Sequence, residues 1–401
     1  MDDVILSQRN LNDSRWSLFS WTPTSTAQGY GAEQTLLNRV LSFNLPFSIT
    51  RPFAQLGLVK LDDQKSINTL VIGQHASKYI HLDSTNSKIL DSNDTLSLNS
   101  NDTFNINQKK NLVMTHGYGA GLGFFYKNYQ DLAKLDDYNI FSLDWLGMGN
   151  SSRPSFVKSG RHATDDIIVN DTENFFIDSL EAWRIKMGLE SMVLLGHSMG
   201  GYLSTCYALK YPERVEKLIL VSPVGVPSAP EPSSQPQRPG YLLSLFRSLW
   251  SWNVTPMSVI RTFGPAGPSL VKRYATHRFK HLDNEEAKDL ENYIYHISAQ
   301  PGSGEYALAR LLLPGAWPRK PLHPRLPNLK MPTTFIYGDI DWMNHEYALK
   351  AVPDMKTPVK VVVVENAGHH LYLDNPDAFN QSVLNELDDF VHHPQVKYVY
   401  E

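Results

Sequence analysis

The sequence predicts an α/β protein, a mostly parallel sheet flanked by helices and carrying an inserted helical cap. Three observations point there. From Asn111 to Val221 short apolar runs alternate with segments of helical period, the pattern of a parallel sheet covered on both faces. At Pro223 this regularity gives way to a proline-rich, then irregularly helical stretch reaching about Pro327. Strand-like runs Thr333 to Tyr337 and Val359 to Val364, with a helical segment Pro376 to Phe390, then resume the sheet.

Taken in order, residues 1–50 form an N-terminal arm in which Trp16, Leu18, Phe19 and Trp21 crowd a short polar segment, followed by a weakly helical run Ala32 to Phe43. Such an arm either packs on the main domain or sits at a lipid headgroup boundary, where tryptophan is favoured. Residues 51–222 are the first part of the core. Ser66 to Gly73 and Lys78 to Leu82 read as antiparallel edge strands, and the Ser-, Asn- and Asp-rich stretch 83–110 as a flexible loop with little to bury. Leu112 to Thr115 is a buried strand, Gly123 to Leu135 a helix, and Ile140 to Leu143 a strand. The apolar positions Ile167, Ile168, Phe175, Phe176, Leu180, Trp183 and Met187 recur at helical spacing across Thr164 to Leu189. Strand Met192 to Leu195, helix Met199 to Tyr211 and strand Val215 to Val221 complete this part. Residues 223–327 are the cap, with the aromatic cluster Tyr241, Phe246, Trp250 and Trp252, and residues 328–393 the second part of the core.

The 401 residues are 42% hydrophobic and 19% charged with mean hydropathy −0.31, enough to bury a sizeable core and not a disordered composition. Net charge is −4 with no run of like charge, which argues against nucleic acid as a partner. Cys206 is the lone cysteine, so neither an intramolecular disulfide nor a cysteine zinc site is expected. The start Met1-Asp2-Asp3-Val4 lacks the basic, apolar character of a secretion signal, and no apolar stretch approaches the roughly 18 to 20 residues that span a bilayer. A membrane role would be peripheral.

Gly196-His197-Ser198-Met199-Gly200 follows an apolar strand and opens a helix. That is the context of a nucleophile elbow, in which small neighbours let a sharp turn expose the serine oxygen. A serine hydroxyl needs a base to act at neutral pH. His369, leaving the strand Val361 to Val364 in Asn366-Ala367-Gly368-His369, supplies it, with His370 the competitor. The loop Tyr337-Gly338-Asp339-Ile340-Asp341-Trp342 offers two carboxylates to orient that histidine. The amides of Met199 and of Tyr118, in the turn His116-Gly117-Tyr118-Gly119, are placed to receive an oxyanion, with His116 ordering the turn. No residue spacing suggests a metal site or a phosphate-binding glycine loop.

From about Asn111 to Phe390 the chain resembles an α/β-hydrolase-fold serine hydrolase, with Asp144-Trp145-Leu146-Gly147-Met148-Gly149-Asn150-Ser151-Ser152-Arg153-Pro154 matching the family's loop after the fourth strand. The family's order of nucleophile, acid and histidine fits Ser198, Asp341 and His369, and its geometry favours Asp341 over Asp339 as the acid. Within the family it looks like the lipid-metabolising branch that contains α/β-hydrolase-domain proteins four and five, the cardiolipin-specific deacylases and a soluble lysophosphatidic acid acyltransferase. The matching features are the extended turn His116 to Gly123, the helix end Ala208-Leu209-Lys210-Tyr211-Pro212, the His369-x-x-x-x-Asp374 motif and the tryptophan-rich arm. In the branch that motif accompanies acyl transfer, although Asp374 here could equally cap the helix starting near Pro376. Branch members acting as co-activators carry asparagine at the nucleophile position, where this chain has Ser198.

The resemblance implies a phospholipase, deacylase or lysophosphatidic acid acyltransferase working through an acyl-serine. It implies no cofactor, acyl-CoA as a potential co-substrate, and a cytoplasmic enzyme lying on lipid-droplet, endoplasmic-reticulum or mitochondrial membranes. Cap residues Tyr241 to Trp252 with Leu311-Leu312-Leu313 suit an acyl chain or simply the cap's own core. Arg153, Lys158 and Arg161 are either phosphate receivers or solvated charges. A small-ester carboxylesterase and a non-catalytic lipid-surface co-activator are the competing classes; an epoxide hydrolase would carry aspartate in place of Ser198.

Overall fold

Continuous apolar runs can be buried on both faces only inside a covered sheet, and the runs flagged in the sequence are its interior strands. The structure, a computed structural model, describes residues 23–43, 52–73, 109–157, 160, 163–228, 248–387 and 396–400. The tryptophan-rich arm, strand Lys78 to Leu82, nearly all of loop 83–110, Lys158, Arg161, Tyr241 and Phe246 lie outside the described residues. The strands are β1 (Ala54–Lys60), β2 (Ser66–Ile72), β3 (Lys110–Thr115), β4 (Tyr138–Leu143), β5 (Met192–His197), β6 (Val215–Val221), the short pair β7 (Leu312–Leu313) and β8 (Trp317–Pro318), then β9 (Thr333–Gly338), β10 (Val359–Val364) and β11 (Val396–Tyr400). Among the described residues, nine form one sheet in the order β1-β2-β4-β3-β5-β6-β9-β10-β11. β4, β3, β5, β6, β9 and β10 are parallel, while β1, β2 and β11 join antiparallel at the two edges.

Alternation along each interior strand divides the core in two. On β3, Val113 packs with Phe141, Leu194 and Leu220 under helices α3 (Asp165–Lys186) and α4 (Met199–Lys210), with Phe176, Trp183 and Leu203. Leu112 and Met114 face the other layer, with Ile140, Val193 and Leu195 against Tyr129 of helix α2 (Tyr126–Leu132) and Phe379 of the helix Pro376–Leu387.

The first described helix, α1 (Thr26–Leu37), begins before the run expected at Ala32 to Phe43. Ser25 and Gln28 close a capping box, the Ser25 hydroxyl accepting from the Gln28 amide while Gln28 accepts from the Ser25 amide; this start signal outweighs the weak apolar period further on. The described part of the cap contributes the helices Pro256–Thr262, Gly267–Arg278 and Asn284–Ala299 and the β7–β8 pair, between β6 and β9. It therefore lies beyond the carboxyl ends of the parallel strands, where open α/β sheets place their sites.

Candidate active site

Ser198 is the single residue between β5 and α4, at φ 54 and ψ −118, a left-handed conformation that turns the chain within one residue. Its amide donates to Val221 O (2.9 Å), and its carbonyl accepts from Tyr202 N (3.1 Å) and Val224 N (3.2 Å), which holds the strained turn. The elbow packs tightly on the turn after β3. A Cβ on Gly200 would collide with the His116 carbonyl oxygen.

Two further loops converge on Ser198. Adjacent parallel strands β9 and β10 end level with each other, Gly338 opposite Val364, and their exit loops touch so closely that a Cβ on Gly338 would collide with Ala367 O. The result is a continuous array: Ser198 Oγ donates to His369 Nε2 (3.0 Å), and His369 Nδ1 donates to Asp341 Oδ1 (3.1 Å), with Oδ2 at 3.4 Å. The Asp341 side chain is shielded from solvent and also accepts from Met343 N (2.9 Å). Asp339 faces elsewhere, accepting from Ala367 N (3.0 Å) and so pinning the histidine loop to the aspartate loop.

The neighbouring imidazoles are neutral supports. His197 donates from Nε2 to His369 O (2.8 Å) and is approached at Nδ1 by Tyr372 OH (3.4 Å). The His370 ring lies 5.8 Å from both Phe124 and Phe279 and bonds neither carboxylate. Burial first, then the adjacent imidazoles, push both well below the usual histidine range. His116 has its two ring nitrogens occupied, Nδ1 donating to Gly117 O (2.7 Å) and Nε2 accepting from Trp145 N (3.1 Å); burial lowers its pKa as well. It orders the turn that carries Tyr118.

Tyr118 and Met199 line the cavity above Ser198, and the Met199 amide, first in α4, has no intrahelical acceptor. This cavity, about 220 Å³, is lined also by Phe124, Leu308, Leu312 and Trp342. It adjoins a wider groove of about 750 Å³ running between Tyr274 and Arg278 of the cap and Ile340 and Trp342 of the β9 loop. The Trp342 ring, 62% exposed, sits 5.0 Å from that of His369 at the junction.

Two expectations change. Asp374 caps no helix; Asn375 takes that place, with Oδ1 receiving Ala378 N (3.3 Å). Asp374 instead receives both guanidinium nitrogens of the cap's Arg278 (2.9 Å each) and the Gly368 amide (2.9 Å), tying the cap to the residue before His369. Arg153 is half-buried and engaged by the protein itself rather than a solvated surface charge. Its guanidinium donates to the carbonyls of Gly147, Gly149, Ile297 and Pro301, clamping the loop after β4 to the cap, and burial lowers its pKa to about 10. Of the aromatic cluster, Trp250 donates to Leu312 O (3.1 Å) and packs on the core, while Trp252 is 74% exposed; the cavity wall comes from Leu308 and Leu312. Arg278 carried no sequence signal, because its partner is 96 residues away.

The fold and the sequence are shared with known proteins. The α/β hydrolase fold family matches residues 110–376. An Arabidopsis thaliana protein named 1-acylglycerol-3-phosphate O-acyltransferase is 37% identical across 95% of this chain and 86% of its own. A human (lyso)-N-acylphosphatidylethanolamine lipase is 38% identical across 70% of this chain and 79% of its own. Among solved structures, a bacterial membrane phospholipase A superposes with TM-score 0.55 over 90% of each chain at 20% identity, a likeness of fold.

Proposed function

The chain belongs to the α/β-hydrolase fold family, in its lipid-metabolising branch, and from that premise we propose that Ser198 cleaves acyl esters of phospholipids or lysophospholipids through an acyl-serine intermediate. The observation that carries the reading is the unbroken array Ser198–His369–Asp341 at the floor of an apolar cavity.

Ser198 Oγ attacks the ester carbonyl as its proton passes to His369 Nε2, and Asp341 holds Nδ1–H and stabilises the imidazolium. The negative charge that develops on the carbonyl oxygen falls to the amides of Tyr118 and Met199. Collapse returns the proton to the departing alcohol and leaves an acyl-serine. His369 then deprotonates the acceptor, whose oxygen takes the acyl group and frees Ser198. Water as acceptor gives a phospholipase or deacylase. With acyl-CoA as donor the thioester is attacked and the coenzyme A thiol departs with the proton in place of the alcohol, and a lysophosphatidic acid hydroxyl as acceptor then gives an acyltransferase; the Arabidopsis relative, similar across nearly the whole chain, favours this second outcome. Leu308, Leu312, Phe124 and Trp342 give the acyl chain an apolar seat. No helix among the described residues is long and apolar enough to cross a membrane.

The test is purified wild type and Ser198→Ala on liposomes containing cardiolipin, phosphatidylethanolamine or lysophosphatidic acid, with and without acyl-CoA, products resolved by mass spectrometry. Serine-dependent loss of acyl chains identifies a phospholipase and its head group, and serine-dependent acylation of lysophosphatidic acid a transferase. Identical behaviour of the two proteins sinks the catalytic reading in favour of a lipid-surface co-activator. Turnover confined to short soluble esters indicates a carboxylesterase.

A further inference from the structure

The cap's charge is segregated. Between Glu231 and Asp283 the sequence carries seven Lys and Arg and not one Asp or Glu, in a protein whose net charge is −4. Within the described part of this span, Arg261 is paired with Glu305 and Arg278 with Asp374. Lys272, Arg273 and Lys280 are exposed and have no carboxylate partner among the described residues. Helical spacing puts Arg273, His277 and Lys280 on one side of Gly267–Arg278 and the turn that follows it, away from buried Val271 and Ala275.

Apolar exposure is concentrated in the same stretch of chain. Of the twelve large hydrophobic side chains that stand exposed among the described residues, six fall between Leu249 and Tyr274, including Trp252 (74%) and Phe263 (55%). Two more, Ile340 and Trp342, stand across the groove that leads to Ser198. Tyr274, on the basic helix itself, lines both the groove and the catalytic cavity. Exposed aromatics interleaved along one cap segment with unpaired cations suit an anionic bilayer: the rings insert at headgroup level and each nearby Lys or Arg adds roughly 1 kcal/mol of attraction.

We propose that the outer face of the cap, from Trp252 to Lys280, docks the protein on anionic lipid surfaces and so presents the groove between Tyr274 and Trp342 to the bilayer. A lipid then enters the cavity without crossing bulk water. This deepens the reading of Ser198 as a lipid enzyme, and its docking element is separate from the N-terminal arm.

The experiment is co-sedimentation of the full chain with vesicles of phosphatidylcholine alone or mixed with phosphatidylglycerol, at low and high salt. Wild type binds the anionic vesicles better, and salt erodes the difference. Lys272→Glu/Arg273→Glu/Lys280→Glu, whose side chains are outside the cavity, weakens anionic binding about tenfold or more while Ser198-dependent turnover of a dispersed short-chain ester and the melting temperature stay at wild-type values. Trp252→Ser/Phe263→Ser weakens binding to both vesicle types. Should the triple variant melt early, the single reversals Lys272→Glu and Lys280→Glu, each keeping the wild-type melting temperature, show part of the loss. Equal binding of wild type to both vesicle types, or undiminished anionic binding by the charge-reversed proteins, overturns the proposal. Vesicle binding needs no turnover, so an inactive Ser198 would defeat the enzymatic reading and leave the docking result standing.

Discussion

Ser198 pays for its exposure in backbone strain: a non-glycine residue at φ 54 and ψ −118 costs on the order of 1–3 kcal/mol, held in place by the bonds to Val221, Tyr202 and Val224. Ser198→Gly is therefore expected to raise stability by about 1 kcal/mol in denaturant melts while abolishing acyl-enzyme formation. A Ser198→Gly protein no more stable than wild type would contradict a strained elbow. The two aspartates of the β9 loop separate in the same way, by what they touch. Asp341 holds His369 Nδ1–H, whereas Asp339 holds only the Ala367 amide. Asp341→Asn should lower kcat by roughly four orders of magnitude, since an amide presents the wrong hydrogen-bonding face to the imidazole. Asp339→Asn keeps an acceptor oxygen and should stay within about tenfold of wild type, and equal losses in the two variants would refute the assignment.

The cap and the histidine loop are joined by the ion pair of Arg278 with Asp374, whose carboxylate also receives the Gly368 amide, and beside it His281 bonds Leu373 O (3.1 Å). Asp374→Ala removes charge-assisted hydrogen bonds from a half-buried site and should cost about 2 kcal/mol. Turnover should fall about tenfold, since Gly368 immediately precedes His369. Arg278→Ala should reproduce most of both effects, and the double variant should be scarcely worse than either single one; additive losses in this cycle would show that the bridge does not act as a unit. Elements differ in how plainly the sequence announces them. The elbow was legible because its steric demands select glycine, and the interior strands because double-sided burial writes continuous apolar runs. Edge strands β1, with Gly57, Leu58 and Lys60 partly exposed, and β11 carry no such run, and neither is legible in the sequence. Arg278 and Arg153 act on partners brought near only by the folded cap, so neither role has a spacing that could reveal it.

Among the described residues, one buried polar network joins elements far apart in the chain. Glu33 from α1 is fully buried, accepting from Asn68 of β2 (2.9 Å) and from Tyr293 of the cap helix Asn284–Ala299 (3.2 Å). Asn68 also reaches Asp144 (2.8 Å), whose carboxylate gathers the amides of Leu122 (2.6 Å) and Asn150 (2.7 Å). The network thus ties an N-terminal helix, the sheet edge, the loop after β4 and the cap into one body, and it was invisible in the sequence because Glu33 lies within a helix of no pronounced apolar face. Burial first, and then the nearby Asp144 carboxylate, raise the Glu33 pKa well above its ordinary value. Above about pH 4.5, the normal glutamate range, an unfolded chain releases this proton while the folded chain keeps it. The folded state then binds more protons than the unfolded one, so this group's contribution is full below that pH and is lost as pH rises toward the raised folded value. Glu33→Gln keeps the shape and an acceptor oxygen while removing the titration. Unfolding free energies of the two proteins at pH 5, 7 and 8.5 should diverge in favour of Glu33→Gln as pH rises, by about 1.4 kcal/mol for each pH unit over which wild-type Glu33 stays protonated only when folded. A gap that stays constant with pH, or that favours wild type increasingly at pH 8.5, would mean that Glu33 is ionised in the folded protein and that the network is held by charge.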